Sequence, residues 1–292
     1  MIFKKEHYFP SLRTFEHRVA RWEQLKPEVL PGYRLIPGTP VSVLECAIPE
    51  FPGVKPGMVI AYLSDLHFHG SEKSNRILHH LLGLLMQYKV DYLLLGGDMV
   101  GDSDDIPALA RVLKKLSECA GTTLAVGGNW EYGKFWLAKD FWKKFYADAG
   151  INYLENEIYC RDGIAFGGLA DLTSGEIELP ELDMNKFNIM LVHNPDAAVA
   201  VDRKRVLEYP QLILAGHNHG GQVKVPLLNI PIHIHSRYGT FFAHGVFRHC
   251  IRQSTMIVSA GVNELSFPWR INCRRELIIL RTPEIAGGND EA

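Results

Sequence analysis

The sequence predicts a layered α/β domain. Three observations carry that reading: short apolar runs of strand length, helical patterns alternating with them in the first half, and polar side chains delivered just past the ends of the runs. Val59–Leu63 is the first run, followed by a helical pattern over Ser74–Tyr88. Tyr92–Leu95 then precedes a second helical pattern, Ile106–Cys119, and Thr123–Val126 precedes a third, Phe135–Ala149. Later runs are Ile164–Phe166, Ile189–Val192, Leu212–Ala215, Met256–Val258 and Leu277–Leu280, separated by more turns than helices.

Residues 1–40 read differently. Leu12, Phe15, Val19 and Trp22 recur at helical spacing across Ser11–Leu25, and Pro27, Pro31, Pro37 and Pro40 then interrupt regular structure. The expectation is an amphipathic helix packed on the main domain, with a helix lying on a membrane surface as the alternative. The chain thus divides into an N-terminal extension (1–40), one domain (41–286) and a polar tail (287–292).

Bulk composition excludes several classes. A chain of 292 residues, 47% hydrophobic and 22% charged, can bury a full core. Its 31 Lys and Arg nearly balance 33 Asp and Glu, so no global field favours nucleic acid, and no nucleic-acid partner is expected. Cys46, Cys119, Cys160, Cys250 and Cys273 are widely spaced and odd in number, a poor disulfide framework that suits a reducing compartment. The start, MIFKKEHYFP, has no apolar core for a signal peptide. The stretch Ile77–Tyr88 is broken by His79, His80 and Gly83 and falls short of the about 20 apolar residues a bilayer span needs. The expected location is cytoplasmic.

The informative residues follow the strands. Val59–Leu63 leads into Asp65 and His67, Tyr92–Leu95 into Asp98, Thr123–Val126 into Asn129, Ile189–Val192 into His193, and Leu212–Ala215 into His217 and His219. Open α/β sheets bind ligands at such carboxyl ends. Carboxylate, imidazole and amide oxygen suit Mn, Fe or Zn, and no thiolate appears. Each motif alone is commonplace: a D-x-H arises by chance, a Gly-Asp is a turn, and a single His is usually a hydrogen-bonded core residue. All five together, each after an apolar strand, point to a site for two metal ions.

In that order, D-x-H, GD, GN, H and GHxH resemble the calcineurin-like metallophosphoesterase superfamily. The text around them (AYLSDLH, GHNHGGQ and Ser259–Leu280) resembles its YkuE/YaeI-type bacterial phosphodiesterase branch. The resemblance implies a four-layer αββα sandwich of two mixed sheets. It also implies one divalent ion on Asp65, His67 and His219, a second on Asn129, His193 and His217, Asp98 bridging both, and hydrolysis by a metal-activated hydroxide. Mn is preferred over Fe or Zn as the metal.

One position departs from the family, which reads G-N-H-D/E where this chain has Gly128-Asn129-Trp130-Glu131. Indole is donor-only and is no general acid at neutral pH. Either the leaving group needs no proton, as for an anhydride, or another residue supplies one. His69 is the candidate, although a surface loop histidine is an equal reading. Asp98 and Asn129 are the other expected catalytic positions, and Trp130, Arg237 and Arg274 the expected substrate contacts. Arg270 and Arg275 belong with those arginines, as residues that could bind a second phosphate or simply be surface charge. Asp102 could support a ligand but reads first as a solvated loop acid, and His233 and His235, which follow the completed ligand set, read as outward-facing strand residues or substrate contacts at the pocket rim.

Relatives by resemblance cleave phosphodiesters or UDP-2,3-diacylglucosamine. The aromatics Trp130, Tyr132, Phe135, Trp136, Phe141, Trp142 and Phe145 read first as core and second as an acyl-chain groove. The expected substrate is therefore a phosphodiester or pyrophosphate, with a lipid-linked nucleotide sugar, reached by peripheral contact with the inner face of a membrane, as one candidate. No obligate protein partner is evident. A non-catalytic metal-binding scaffold of the same fold is the competing reading, with Trp130 as its marker.

Overall fold

The computed structural model describes residues 21–134, 139–173, 176–202, 209–226, 230–231, 236, 238, 240–264 and 269–284. The strands are β1 (Trp22–Leu25), β2 (Arg34–Ile36), β3 (Val41–Ala47), β4 (Val59–Leu63), β5 (Val90–Leu95), β6 (Ala120–Ala125) and β7 (Asn152–Tyr153). They continue with β8 (Glu157–Arg161), β9 (Ile164–Gly168), β10 (Phe187–Val192), β11 (Leu212–Ala215), β12 (Gly245–His249), β13 (Thr255–Val258) and β14 (Arg275–Arg281). The helices are α1 (Glu72–Tyr88), α2 (Ile106–Ser117), α3 (Lys139–Asp148) and α4 (Asp196–Val201).

Two mixed seven-stranded sheets result, ordered β2-β3-β14-β4-β5-β6-β7 and β1-β12-β13-β11-β10-β9-β8. Strands β4, β5 and β6 run parallel in the first, and β9, β10, β11 and β13 run parallel in the second. Their runs are mainly apolar because both faces are covered over most of their length, with Asp91, Thr122, Thr123, Asn188 and Thr255 as the polar exceptions. In β4, Val59, Ala61 and Leu63 pack beneath Ile77, Leu81 and Leu85 of α1 and Leu109, Leu113 and Leu116 of α2. Ile60 and Tyr62 point the other way, into a core between the sheets shared with Leu94, Leu124, Phe166, Ile189 and Leu214. The second sheet repeats this: Ile189 and Leu191 face that inner core, while Met190 and Val192 meet α4 and the Phe242–Phe247 region outside. Helices, sheet, sheet and outer cover make the expected αββα layers.

Helix boundaries follow local chemistry. The Ser71 hydroxyl accepts from the Ser74 N–H at 3.2 Å to cap α1, which ends at Lys89 in the left-handed region (φ 51).

The N-terminal expectation is corrected where it can be compared. Trp22–Leu25 is an edge strand antiparallel to β12, not the last turn of a helix, and residues 11–20 lie outside the described residues. Trp22 is buried edge-on against Phe242 and His249, and a ready sheet edge outweighs helical spacing. Within the proline-rich stretch, Arg34–Ile36 pairs with β3. The third helix begins at Lys139; residues 135–138 of its predicted span, which include Phe135 and Trp136, lie outside the described residues.

Candidate metal centre

The parallel strands of the two sheets end at one edge of the sandwich, and their following loops are tied across it. Asp65 N–H donates to Gly97 O (3.0 Å), His67 N–H to Asp98 O (3.0 Å), Gly216 N–H to His193 O (2.9 Å) and Asn263 N–H to Asp65 O (3.0 Å). Asp65, His67, Asp98, His217 and His219 all have positive φ, between 37 and 70. For a residue with a Cβ that conformation costs roughly 1–2 kcal/mol, so five of them among neighbouring loops mark stored strain at a functional site. Glycine serves the same loops where side chains would collide. A Cβ on Gly128 would lie 2.2 Å from Asp98 Oδ1, and one on Gly216 would lie 2.5 Å from Asp65 Oδ2.

Two groups of buried donor atoms result, Asp65–His67–His219 and Asp98–His193–His217. In the first, His67 Nε2 and His219 Nε2 are 3.1 Å apart, and His219 Nε2 is 3.4 Å from Asp65 Oδ1. His219 Nδ1–H donates to the Asn263 carbonyl at 3.1 Å, which leaves Nε2 as a lone pair facing His67. In the second, His193 Nδ1–H donates to Gly96 O at 2.8 Å. Its Nε2 meets Asp98 Oδ2 (3.2 Å), Asn129 Oδ1 (3.1 Å) and His217 Nδ1 (3.2 Å). So many acceptors pointed at one another need a cation, and nitrogen with oxygen and no sulfur suits a hard or borderline divalent ion. The residues therefore fit two metals.

The electrostatics express the same crowding. Burial raises the Asp65 carboxyl to about 6, helped by Asp98 and opposed by His193. Burial also works against the Asp98 carboxylate, yet His193, His67 and the Trp130 N–H (2.8 Å) hold it at about 2. Burial disfavours the His193 imidazolium, but the Asp98 carboxylate beside it raises the group well above its ordinary range. Burial, His67 and Arg270 push His219 well below its usual value, which keeps it neutral, as a ligand must be.

All seven sequence-predicted ligands meet at this edge, Asn129 through its amide oxygen. Trp130 packs edge-on against the His67 ring with centroids 4.6 Å apart, and its backbone N–H holds Asp98. His69 is exposed on the loop before α1, and among the described residues no hydrogen bond or ion pair joins its side chain to the ligands. Asp102 is exposed and caps the turn Ser103–Asp105. Arg274 is exposed; Arg237, His233 and His235 lie outside the described residues.

Three supporting residues escaped their sequence reading. Glu131 is fully buried and accepts from the N–H groups of Asp98 (3.0 Å), Met99 (2.8 Å) and Gly128 (2.9 Å), joining the loops after β5 and β6. Burial and nearby Asp98 raise its carboxyl to about 7. The signal in sequence was an acid amid aromatics, but its partners are backbone groups of a distant loop. Asn263 is buried behind both His67 and His219, donating to the carbonyl of one (3.4 Å) and accepting from the ring of the other. Arg270 does not point to a phosphate: its guanidinium donates to the carbonyls of Ala260 (2.7 Å), His219 (3.4 Å), Arg274 (3.4 Å) and Asn263, bracing the loop that carries His219.

The pattern of the calcineurin-like phosphoesterase family matches residues 58–221, a span that contains every candidate ligand. Phosphodiesterase YaeI of Escherichia coli strain K12 is 31% identical over 232 residues, covering 76% of this chain and 80% of that protein. The uncharacterized metallophosphoesterase YkuE of Bacillus subtilis strain 168 is 29% identical over 204 residues, covering 65% and 67%. A dimetal phosphatase from Danio rerio superposes with a TM-score of 0.48 at 10% identity, covering 71% of this chain and 88% of that one.

Proposed function

The chain belongs to the calcineurin-like phosphoesterase family and is a metal-dependent hydrolase of phosphoric esters, and on that premise we propose how its site works. One divalent ion would be held by Asp65, His67 and His219, the other by Asn129, His193 and His217, with Asp98 between them. The observation that carries this assignment is the placement of one carboxylate oxygen: Asp98 Oδ2 lies 3.2 Å from His193 Nε2 and 3.7 Å from His67 Nε2, within reach of both groups. When bound, such a pair of ions supplies Lewis acidity and a nucleophile usable at neutral pH. Manganese is our choice of metal, since oxygen and imidazole ligands without thiolate accept it readily.

The chain's own residues do the rest. Strained loops and cross-strand hydrogen bonds fix the ligands before substrate arrives, so little reorganisation remains for the reaction. His217, 9% exposed, is the most open of the histidine ligands and marks the side from which substrate enters. Trp130 packs beside His67 where the family usually has histidine, and it has no proton to give at neutral pH. A leaving group that departs as a stable anion suits such a site. This favours a pyrophosphate, such as that of the lipid-linked UDP-2,3-diacylglucosamine, over a simple alkyl diester. His69 is the remaining proton donor for ester substrates, and Arg237 and Arg274 are the contacts we assign to a second phosphate.

Mn-supplemented hydrolysis of bis-p-nitrophenyl phosphate beside a panel of nucleotide-sugar pyrophosphates tests this reading. Preferential cleavage of pyrophosphates supports it. Cleavage of diesters alone would remove the anhydride assignment and leave the metal assignment standing.

A further inference from the structure

Among the described residues eight large apolar side chains are exposed, and three of them lie on segments next to the loop that carries His219, which together form a small platform: Trp269 (65%), two residues before Ile271 (43%), and Ile230 (51%). The platform is held by backbone hydrogen bonds. Ile271 N–H donates to Gln222 O (3.0 Å), Lys224 N–H to Ile271 O (3.0 Å) and Val225 N–H to Ile230 O (2.8 Å). It starts at Gln222, three residues beyond His219, and Arg270, next to Trp269, reaches the His219 carbonyl. Hydrogen bonds thus link these segments to the loop of the candidate metal centre.

Charge on the platform has one sign. Its described segments, 222–226, 230–231 and 269–275, contain Lys224, Arg270, Arg274 and Arg275 and no acid, although the chain as a whole carries a net charge of -2. Arg275 is paired with Glu264 and Arg270 is turned onto backbone carbonyls. Lys224 and Arg274 enter no ion pair among the described residues. A tryptophan and two isoleucines rimmed by cations match the boundary between acyl chains and anionic headgroups, where indole settles and long basic side chains reach the phosphates.

We propose that this platform seats the protein on the surface of a bilayer rich in anionic lipid. Three side chains are too few for the core of a stable protein interface, which takes about 800 Å² from each partner, but they suffice for a shallow reversible foothold reinforced by charge. Contact of this kind is interfacial, and among the described residues no helix is long and apolar enough to cross a membrane. The platform rests on the proposed lipid-linked substrate only for its purpose: it would bring the metal centre to the level where such a phosphate lies. Binding itself is measurable without any turnover.

The test is co-sedimentation of the full chain with phosphatidylcholine vesicles, with and without phosphatidylglycerol, while hydrolysis of soluble bis-p-nitrophenyl phosphate is followed in parallel. The expected result is binding to the anionic vesicles that weakens with salt and with Lys224→Glu. Trp269→Ser combined with Ile271→Ser should lower it by roughly tenfold or more, with unchanged hydrolysis of the soluble substrate. Met86→Ser, at an equally exposed apolar residue on α1, should leave binding alone. Failure of wild type to bind, equal binding by the double variant, or an equal loss in Met86→Ser would overturn the proposal. Loss of hydrolysis in the wild type would count against the proposed chemistry and not against the platform.

Discussion

Glu131→Ala removes a single acceptor on which three buried backbone N–H groups depend, at 3.0, 2.8 and 2.9 Å. A buried donor left without a partner costs about 1–3 kcal/mol, so three amount to roughly 3–9 kcal/mol. Against this stands the cost of burying the carboxylate itself. Its rise from 4.5 to about 7 corresponds to roughly 3 kcal/mol that the variant recovers. At the middle of the range the net loss is roughly 3 kcal/mol, or about 5 °C in Tm for a chain this long. Because two of the donors belong to Asp98 and Gly128, the same variant should weaken Mn binding. Thermal unfolding of the metal-free protein followed by circular dichroism, with an Mn titration on the same preparation, reads both effects. Glu131→Gln, which keeps one acceptor oxygen but turns an NH₂ toward N–H groups, should fall between. Wild-type Tm together with wild-type Mn affinity in Glu131→Ala would refute the idea that this carboxylate ties the two loops.

Four other substitutions test the ligands, the leaving group and the electrostatics away from the site. Asp98→Ala and His217→Ala should each abolish hydrolysis while the far-ultraviolet dichroism stays native; full activity in either would remove that residue from the site. Trp130→His should raise turnover of ester substrates more than that of anhydrides, and equal gains on both would end the leaving-group argument. Asp202 tests the electrostatics away from the site. Burial opposes its charge, but His249 and Arg21 (2.9 Å) hold its carboxyl at about 2, below the unfolded value of 3.8, and Arg252 lies 3.0 Å away. Its contribution of about 2 kcal/mol is complete above pH ~4 and is lost as pH falls through about 2. Asp202→Asn should therefore unfold more easily at neutral pH and lose less stability between pH ~4 and ~2 than wild type. Parallel acid-unfolding curves for the two proteins would contradict this.

What could be read from sequence depended on whether a residue's meaning was local. Strands β4, β5, β10 and β11, and the second half of β6, stand out because both faces are buried, which makes them mainly apolar. A glycine or a polar residue then marks where each ends and the ligands begin. Strands β1, β2, β7 and β8 are short or lie at sheet edges, and β8 is largely exposed (Glu157–Arg161), so neither composition nor alternation announces them. Trp22 shows the limit of periodicity: its helical spacing from Val19 was present, but a pairing edge more than 200 residues away decided its conformation. Asn263 and Arg270 support His219 from the loop after β13, through contacts that spacing along the chain does not encode. Glu131 lies inside the motif after β6, yet two of its three backbone partners, Asp98 and Met99, sit on the loop after the neighbouring strand β5.

The central claim is that Asp98 joins two metal-binding groups into one catalytic site. Metal content per chain, measured with bis-p-nitrophenyl phosphate turnover on Mn-loaded wild type and Asp98→Asn, tests it most directly. Two ions per chain and chelator-sensitive turnover are expected in the wild type. In Asp98→Asn at least one ion should be lost, along with nearly all turnover. Full turnover after complete metal removal, or two ions and normal activity in Asp98→Asn, would contradict it.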